Sequence, residues 1–150
     1  MAEDPFPDNG TRDFVAQSKS SPQSEPAAGG SLADRVRAIC RVFPEVTERL
    51  SHGAPTWFVR DRAAFAALWE HGHHQYDFPH LVCAAPAGAQ EALVASAPQR
   101  YFRPPYVGGR GWVGVRLDGD PDWDEIAELC EDAYRTVAPP RLVARLDAGG

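Results

Sequence analysis

The sequence predicts an α+β protein: a two-layer sandwich in which an antiparallel sheet carries its helices on one face. Three observations lead to this prediction. Apolar residues recur at helical spacing near both ends of the folded region, and segments between those helices alternate as strands do. Glycine-containing or highly charged turns separate neighbouring strands. The hydrophobic and charged fractions, 43% and 24% of 150 residues, are those of an ordinary globular chain.

The chain divides near residue 31. Residues 1–30 are dense in Pro, Ser, Gly and acid, with a net charge of −3 from five acidic and two basic residues. Such a segment buries too little apolar surface to offset the entropy lost on ordering, so we predict a disordered tail. We expect one domain over residues 31–146 and a flexible C-terminus over residues 147–150.

The composition excludes several classes of protein. No apolar run approaches the roughly 20 residues that span a bilayer, and no signal-peptide pattern opens the chain. The three cysteines are scattered and form neither a disulfide framework nor a metal-binding C-x-x-C. We therefore expect a cytoplasmic protein without membrane contact. The net charge of −6 argues against a wholly basic nucleic-acid binder, but not against a local basic patch.

The first predicted helix begins at Ser31, whose hydroxyl can cap it, and ends at Pro44. Its apolar face consists of Leu32, Val36, Ile39, Cys40 and Phe43. Residues 46–60 then favour extended chain with a break at residues 53–55. The run Trp57-Phe58-Val59 favours a strand because aromatic and β-branched residues pack well on a pleated surface.

Residues 63–70 are compatible with two structures. Their alanines and leucine favour a helix by propensity, yet every second residue is apolar, as on one face of a strand. The members of that predicted face are Ala63, Phe65, Ala67 and Trp69. We interpret the segment as the returning strand of a hairpin. Further strands are predicted at residues 81–84 and 112–117, with a helix beginning at Pro86 between them.

A run of acidic residues leads into the last predicted helix. Asp122 caps this helix with Glu125 as its capping-box partner, and Pro139-Pro140 ends it. Residues 118–125 resemble a calcium loop but lack the required Gly and Glu at its sixth and twelfth positions. The carboxylates instead suit the positive end of the helix. Residues 118–132 hold eight acids and no base, so any nucleic-acid contact must lie elsewhere.

Four histidines, His71, His73, His74 and His80, raise the question of a zinc or nickel site and of an enzyme that uses it. Adjacent histidines point to opposite faces in an extended chain, and no cysteine lies beside this group. The chain also lacks a G-x-S-x-G elbow and a Gly-rich phosphate loop after a strand. We therefore predict a polar loop between strands, with no metal, no cofactor and no enzymatic activity.

The stretch from Ala92 to Leu117 combines four arginines with aromatic residues and contains no acid. Arginine forks bind phosphate and exposed rings stack on bases, so this mixture suits nucleic acid. In the last strand, Trp112 and Arg116 are expected side by side on the sheet face turned away from the helices. A solvated hairpin whose tryptophan packs on aliphatic stems is the alternative. The predicted binding residues are Arg100, Arg103, Tyr106, Arg110, Trp112 and Arg116.

Two runs carry a resemblance to a known family: Phe43-Pro44 to Trp57, and Gly111 to Asp118. In this order they resemble the MmcQ/YjbR family of small bacterial proteins, over about residues 32–146. The resemblance implies a CyaY-like α+β fold, and therefore a strand over residues 63–69. It also implies DNA binding, which is the family's usual label, and no catalytic residues. The family's hallmark tryptophan matches Trp112, and its following Arg-Leu-Asp matches Arg116-Leu117-Asp118.

The predicted function is that of a non-enzymatic binding module that presents the arginine and aromatic residues of the open sheet face to DNA. The alternative is a protein-interaction or small-ligand module that uses the same face and does not bind nucleic acid. That alternative predicts a partner or a pocket around Trp57, Trp69 and Trp112.

Overall fold

Six antiparallel strands and four helices make up the part of the chain that the computed structural model describes, residues 30–149. The elements in chain order are α1 (Leu32–Cys40), β1 (Val46–Ser51), β2 (Ala54–Val59), β3 (Ala63–Trp69), β4 (His80–Cys83), α2 (Ala89–Ser96), β5 (Tyr101–Phe102), β6 (Val113–Arg116), α3 (Trp123–Val137) and α4 (Pro140–Gly149). A short 3-10 helix covers Val107–Arg110. The strands form one open sheet in the order β1-β2-β3-β4-β6-β5, so the predicted antiparallel α+β architecture is confirmed.

The turn between β1 and β2 is a two-residue hairpin connection. Ser51 pairs with Ala54, and the two residues between them, His52 and Gly53, have φ of 54° and 83°. Positive φ at both central positions is the mark of a type I′ turn, whose twist matches that of the strands it joins. The break predicted at residues 53–55 is therefore the end of this turn and the start of β2.

One side of the sheet faces α3. The hydroxyl of Tyr101 donates to Glu125 of that helix, and α3 packs against β3 and β4. Residues that oppose one another across an antiparallel sheet point to the same side. Two rows of fully or almost fully buried side chains therefore face α3: Leu68, Leu81, Val115 and Tyr101, and beside them Trp57, Ala66, Cys83 and Val113.

A bulge in β3 changes which residues face α3. The pairing passes from Trp57 opposite Ala66 to Phe58 opposite Ala64, which leaves Phe65 as an extra residue. The ring of Phe65 lies 5.7 Å from that of Tyr134 in α3, so Phe65 and Ala66 both face the helix. The expected single face of Ala63, Phe65, Ala67 and Trp69 is therefore wrong: strand structure is confirmed, but its strict alternation is interrupted.

The helix ends follow the predicted chemistry only in part. Ser31 and Asp122 cap their helices as expected: Ser31 Oγ accepts from the Asp34 amide at 3.0 Å, and Asp122 Oδ1 accepts from the Asp124 and Glu125 amides at 3.1 and 3.3 Å. Glu125 does not complete a capping box, because its carboxylate accepts the Tyr101 hydroxyl instead.

The helical layer extends beyond the end predicted from the sequence. A fourth helix, α4, begins directly after Pro139 and runs through Gly149, where a flexible C-terminus was expected from residue 147. Asp147 accepts a hydrogen bond from Arg135 at 2.7 Å and so connects α4 with α3. The predicted tail, residues 1–30, lies outside the described residues except for Gly30. Across the described helices, none has the length and apolar character that crossing a membrane requires.

Candidate functional site

The side of the sheet turned away from α3, here called the open face, carries a cavity of about 800 Å³. Its floor includes Thr56, Ala67 and Val82, which oppose one another across three central strands. The next row contributes Trp69 and His80. A volume of this size is within the range of natural small-molecule sites, roughly 300–1,000 Å³.

The cavity lining combines aromatic rings with cationic and titratable nitrogen groups. Of the residues that the structure describes, no aspartate or glutamate lines it. An acid-free, ring-lined cavity with guanidinium groups favours an anion that also carries a flat ring. The lining rings are Phe58, Trp69, Tyr106 and Trp112, the imidazoles are His52, His73, His74 and His80, and the guanidinium groups are Arg62 and Arg110.

The loop between β3 and β4 forms one wall of the cavity as a stack of rings. His73 lies almost parallel to Trp69, with ring centroids 3.7 Å apart, and His74 lies 3.9 Å from His73. His73 and Tyr76 exchange backbone hydrogen bonds of 2.8 and 3.1 Å. Gly72 has a φ of 91°, and a Cβ atom there would lie 2.6 Å from the Tyr76 carbonyl oxygen. The predicted polar loop is thus an ordered wall that glycine permits.

The histidines do not assemble a metal site. Between residues 30 and 149, no group of three or more His, Cys, Asp or Glu side chains has an arrangement that could hold a metal ion. His73 and His74 line the cavity as part of the ring stack, and Nδ1 of His80 is hydrogen-bonded to the Phe78 carbonyl oxygen.

Three of the six predicted binding residues line the cavity: Tyr106, Arg110 and Trp112. Trp112 faces the open side as expected, but only 7% of it is exposed because it forms part of the cavity wall. The Arg110 guanidinium carbon lies 5.5 Å from the centroid of the Trp112 ring, and Tyr106 is 78% exposed at the rim. Arg110 is therefore held where its guanidinium group can contact the Trp112 ring and bind an anionic ligand group at the same time.

The other three predicted residues, Arg100, Arg103 and Arg116, do not line the cavity. Arg116 donates two hydrogen bonds to Asp118, at 3.0 and 2.7 Å, and its guanidinium carbon lies 3.9 Å from the centroid of the Phe78 ring. These contacts raise the pKa of Arg116 and lower that of Asp118, each mainly through their mutual hydrogen bonds. The charge of Arg116 is thus already matched by a carboxylate.

Phe102 separates Arg116 from Trp112, so the expected side-by-side platform is not formed. Phe102 pairs with Gly114, and its ring occupies the place where a Gly114 side chain would stand. The side chain of Arg103 lies against the backbone of Gly108, and the Arg100 carbonyl accepts from the Arg116 amide at 2.9 Å. The predicted arginines therefore divide between two regions of the open face.

Gln90 is a supporting residue that the sequence did not reveal. It is 3% exposed, and its Nε2 donates to the carbonyl oxygens of Gly108 and Trp112 at 2.8 and 2.5 Å. These bonds fix the segment that carries Arg110 and Trp112. The feature of the sequence that could have identified Gln90 is an amide side chain on the buried side of α2. His52 and Arg62 also line the cavity, but they lie in turns, and no sequence pattern marked them as cavity residues.

Loss of solvation at two cavity histidines makes the stability of the protein depend on pH. Desolvation lowers the pKa of His73 and of His80 from the ordinary value of 6.5. The unfolded chain therefore takes up protons at a higher pH than the folded chain does. We expect the free energy of unfolding to be highest above about pH 6.5 and to fall as the pH drops below it.

Urea denaturation between pH 7.5 and 5 measures this loss. His80→Gln should reduce it, whereas Gln75→Ala, which changes an exposed and non-titratable side chain of the same loop, should leave it unchanged. The carboxyl groups of Glu45, Asp118 and Asp147 contribute in a different window, because arginine partners lower their pKa values and the resulting stability disappears only in more acidic solution. A flat stability profile between pH 7.5 and 5 would contradict the contribution assigned to His73 and His80.

A protein-family model described as YjbR matches residues 41–136. The chain belongs to the YjbR family. The resemblance found in the sequence is thereby confirmed, and the matched range contains all six strands together with the cavity loops. The fold of this YjbR-family protein is also similar to a solved structure from Deinococcus radiodurans, protein DR2400, described as a DUF419 domain. The two chains share 18% identity with a TM-score of 0.60, over 77% of this chain and 87% of that one. No curated protein sequence matches the chain.

Proposed function

We propose that this YjbR-family protein is a non-enzymatic module that binds single-stranded DNA by taking an unstacked base into the open-face cavity. The observation that carries the proposal is the lining itself, in which rings and guanidinium groups meet without a carboxylate. A base stacked on an aromatic side chain contributes about 1–3 kcal/mol, and an arginine at the rim can bind the adjoining phosphate. A duplex offers no such base, because its rings are stacked and paired.

The two cationic groups of the cavity are available for phosphate. Within residues 30–149, neither Arg62 nor Arg110 forms an ion pair with a carboxylate. Most of the acidic run, residues 123–132, lies in α3, which packs on the other side of the sheet, and Asp118 at the start of the run is paired with Arg116. The charge distribution thus favours the approach of a phosphate backbone to the open face despite the net charge of −6.

The test is binding of a labelled oligo(dT) by fluorescence anisotropy across a salt series. With phosphates bound by two arginines, the logarithm of the association constant should fall against the logarithm of salt concentration with a slope of about −1.4, from about −0.7 per contact. Arg110→Ala should weaken binding about 10–150-fold and make the slope shallower, since a hydrogen-bonded charge contact contributes roughly 1.5–3 kcal/mol.

Arg141→Ala is the matched control, because it removes an exposed arginine of α4 that does not line the cavity. This variant should bind oligo(dT) like the wild type. Equal binding by the Arg110 and Arg141 variants, or no binding by the wild type, would contradict the proposal.

A free small ligand of the same chemistry is the second candidate. The observation that favours it is the burial of Trp112, which makes the site a cavity and not a flat platform. Binding of thymidine 5′-monophosphate at least as tightly as the oligonucleotide would support this candidate over single-stranded DNA.

A further inference from the structure

His80 is a buried polar residue at the cavity. It lies in β4 opposite Trp69, it lines the cavity, and only 1% of it is exposed. Three rings surround one part of the imidazole, those of Phe102, Phe78 and Tyr76, with centroids 5.1, 5.6 and 6.3 Å away. The orientation of the His80 ring is therefore set by packing before any ligand arrives.

The hydrogen bonding of His80 determines which ring nitrogen carries the proton. Nδ1 lies 2.9 Å from the carbonyl oxygen of Phe78. Because a carbonyl oxygen only accepts hydrogen bonds, Nδ1 is the donor, and neutral His80 has its lone pair on Nε2. Burial lowers the pKa of His80, which keeps the ring neutral near pH 7.

Nε2 of His80 has no donor from the protein in the described range, residues 30–149. The Tyr76 ring packs near His80, but its hydroxyl donates to the carbonyl oxygen of Arg103 at 3.5 Å and is not directed to Nε2. A buried acceptor without a partner is unfavourable and uncommon in native proteins. A donor on a bound ligand would satisfy it.

We infer that Nε2 of His80 reads the edge of the ring that enters the cavity and requires an N–H group at that edge. This inference rests on the proposed base-binding function of the same cavity. The ligand class is a nitrogen heterocycle with an N–H donor and an anionic substituent, the latter placed at Arg62 or Arg110. A ring that presents a carbonyl or a methyl group to His80 would leave Nε2 without a donor and bind more weakly.

Thymine provides a direct test because its N3–H is its one N–H group in a nucleotide. Binding of oligo(dT) is compared with binding of the same oligonucleotide built from N3-methylthymine. The wild type should bind the methylated strand about 10–100-fold more weakly, as expected for the loss of a buried hydrogen bond. His80→Phe keeps a ring of similar size and should bind both strands alike.

His74→Phe is the matched control, since it makes the same chemical change at another imidazole of the cavity. It should keep the preference for the unmethylated strand. Equal binding of both strands by the wild type would overturn the inference about His80 while leaving DNA binding intact.

A second measurement does not depend on any variant being folded. In the free wild-type protein, nitrogen-15 NMR of the imidazoles should show His80 protonated at Nδ1 and unprotonated at Nε2. Saturation with oligo(dT) should shift the Nε2 resonance, and the methylated strand should not. Protonation at Nε2 in the free protein, or no shift at saturation, would overturn the inference.

The failure of DNA binding is separable from the failure of this inference. If oligo(dT) does not bind, the proposed function is wrong, and thymidine 5′-monophosphate is compared with its N3-methyl form in the same two measurements. A preference for the unmethylated nucleotide that His80→Phe removes would then support the inference by itself. No binding of either nucleotide would overturn it.

Discussion

Replacing Phe65 with alanine should lower the free energy of unfolding by about 3–5 kcal/mol, the range for truncating a buried aromatic residue. Phe65 is fully buried, and its ring meets Phe43 and Tyr134 at centroid distances of 6.2 and 5.7 Å. The rings of Phe43 and Tyr134 are themselves stacked at 5.0 Å. Alanine at position 65 would leave this three-ring cluster with a cavity between the sheet and α3. Urea denaturation followed by circular dichroism measures the loss.

Two variants calibrate this result. Tyr134→Phe keeps the ring and removes the hydroxyl, which donates to the Pro44 carbonyl at 2.7 Å, so it should cost about 0.5–1.5 kcal/mol. Leu50→Ala changes a side chain that is 70% exposed in β1 and should alter stability by no more than about 0.5 kcal/mol. A cost for Phe65→Ala no larger than that of Leu50→Ala would show that the ring cluster is not central to the core.

Phe65 also shows where the prediction of the fold from sequence stops. Helices α1 and α3 could be predicted because their signals are local: a capping side chain, a regular apolar face and a terminating proline. The strand at residues 63–69 could also be predicted from the sequence. The bulge at Phe65 was not, because it depends on how β3 pairs with β2 and on a contact with Tyr134, sixty-nine positions further along the chain.

The candidate site was predictable in its chemistry but only in part in its membership. The aromatic and arginine stretch identified Tyr106, Arg110 and Trp112, which do line the cavity. Arg62 and His80 join them only because the strand order places their segments beside that stretch. Arg116 was predicted to be a binding residue although its carboxylate partner, Asp118, lies only two residues away in the sequence. Charge counting over a window does not show which charges are already paired.

Gly114 is the second position at which a small change should have a large effect. A Cβ atom at Gly114 would lie 2.4 Å from Cζ of Phe102, far inside van der Waals contact. Gly114→Ala should therefore displace the Phe102 ring and lower the free energy of unfolding by about 1–3 kcal/mol, as overpacking generally does. The displaced ring would lose its stacking on Tyr76, at a centroid distance of 4.3 Å, and its edge contact with His80. We accordingly expect weaker oligo(dT) binding as well as lower stability.

A double-mutant cycle separates this steric effect from a general intolerance of alanine in β6. Phe102→Ala removes the ring that the new methyl group would meet, so adding Gly114→Ala to it should cost much less than adding Gly114→Ala to the wild type. Gly109→Ala is the matched control, because the nearest atom to a Cβ there is 3.8 Å away, an ordinary contact. Additive effects of the two substitutions in urea denaturation would mean that Phe102 does not rest on Gly114. Since the Phe102 ring also positions His80, oligo(dT) binding is measured for the same variants. If the two substitutions are coupled in stability and neither variant that carries Gly114→Ala recovers oligo(dT) binding, the aromatic cluster itself is required for the cavity.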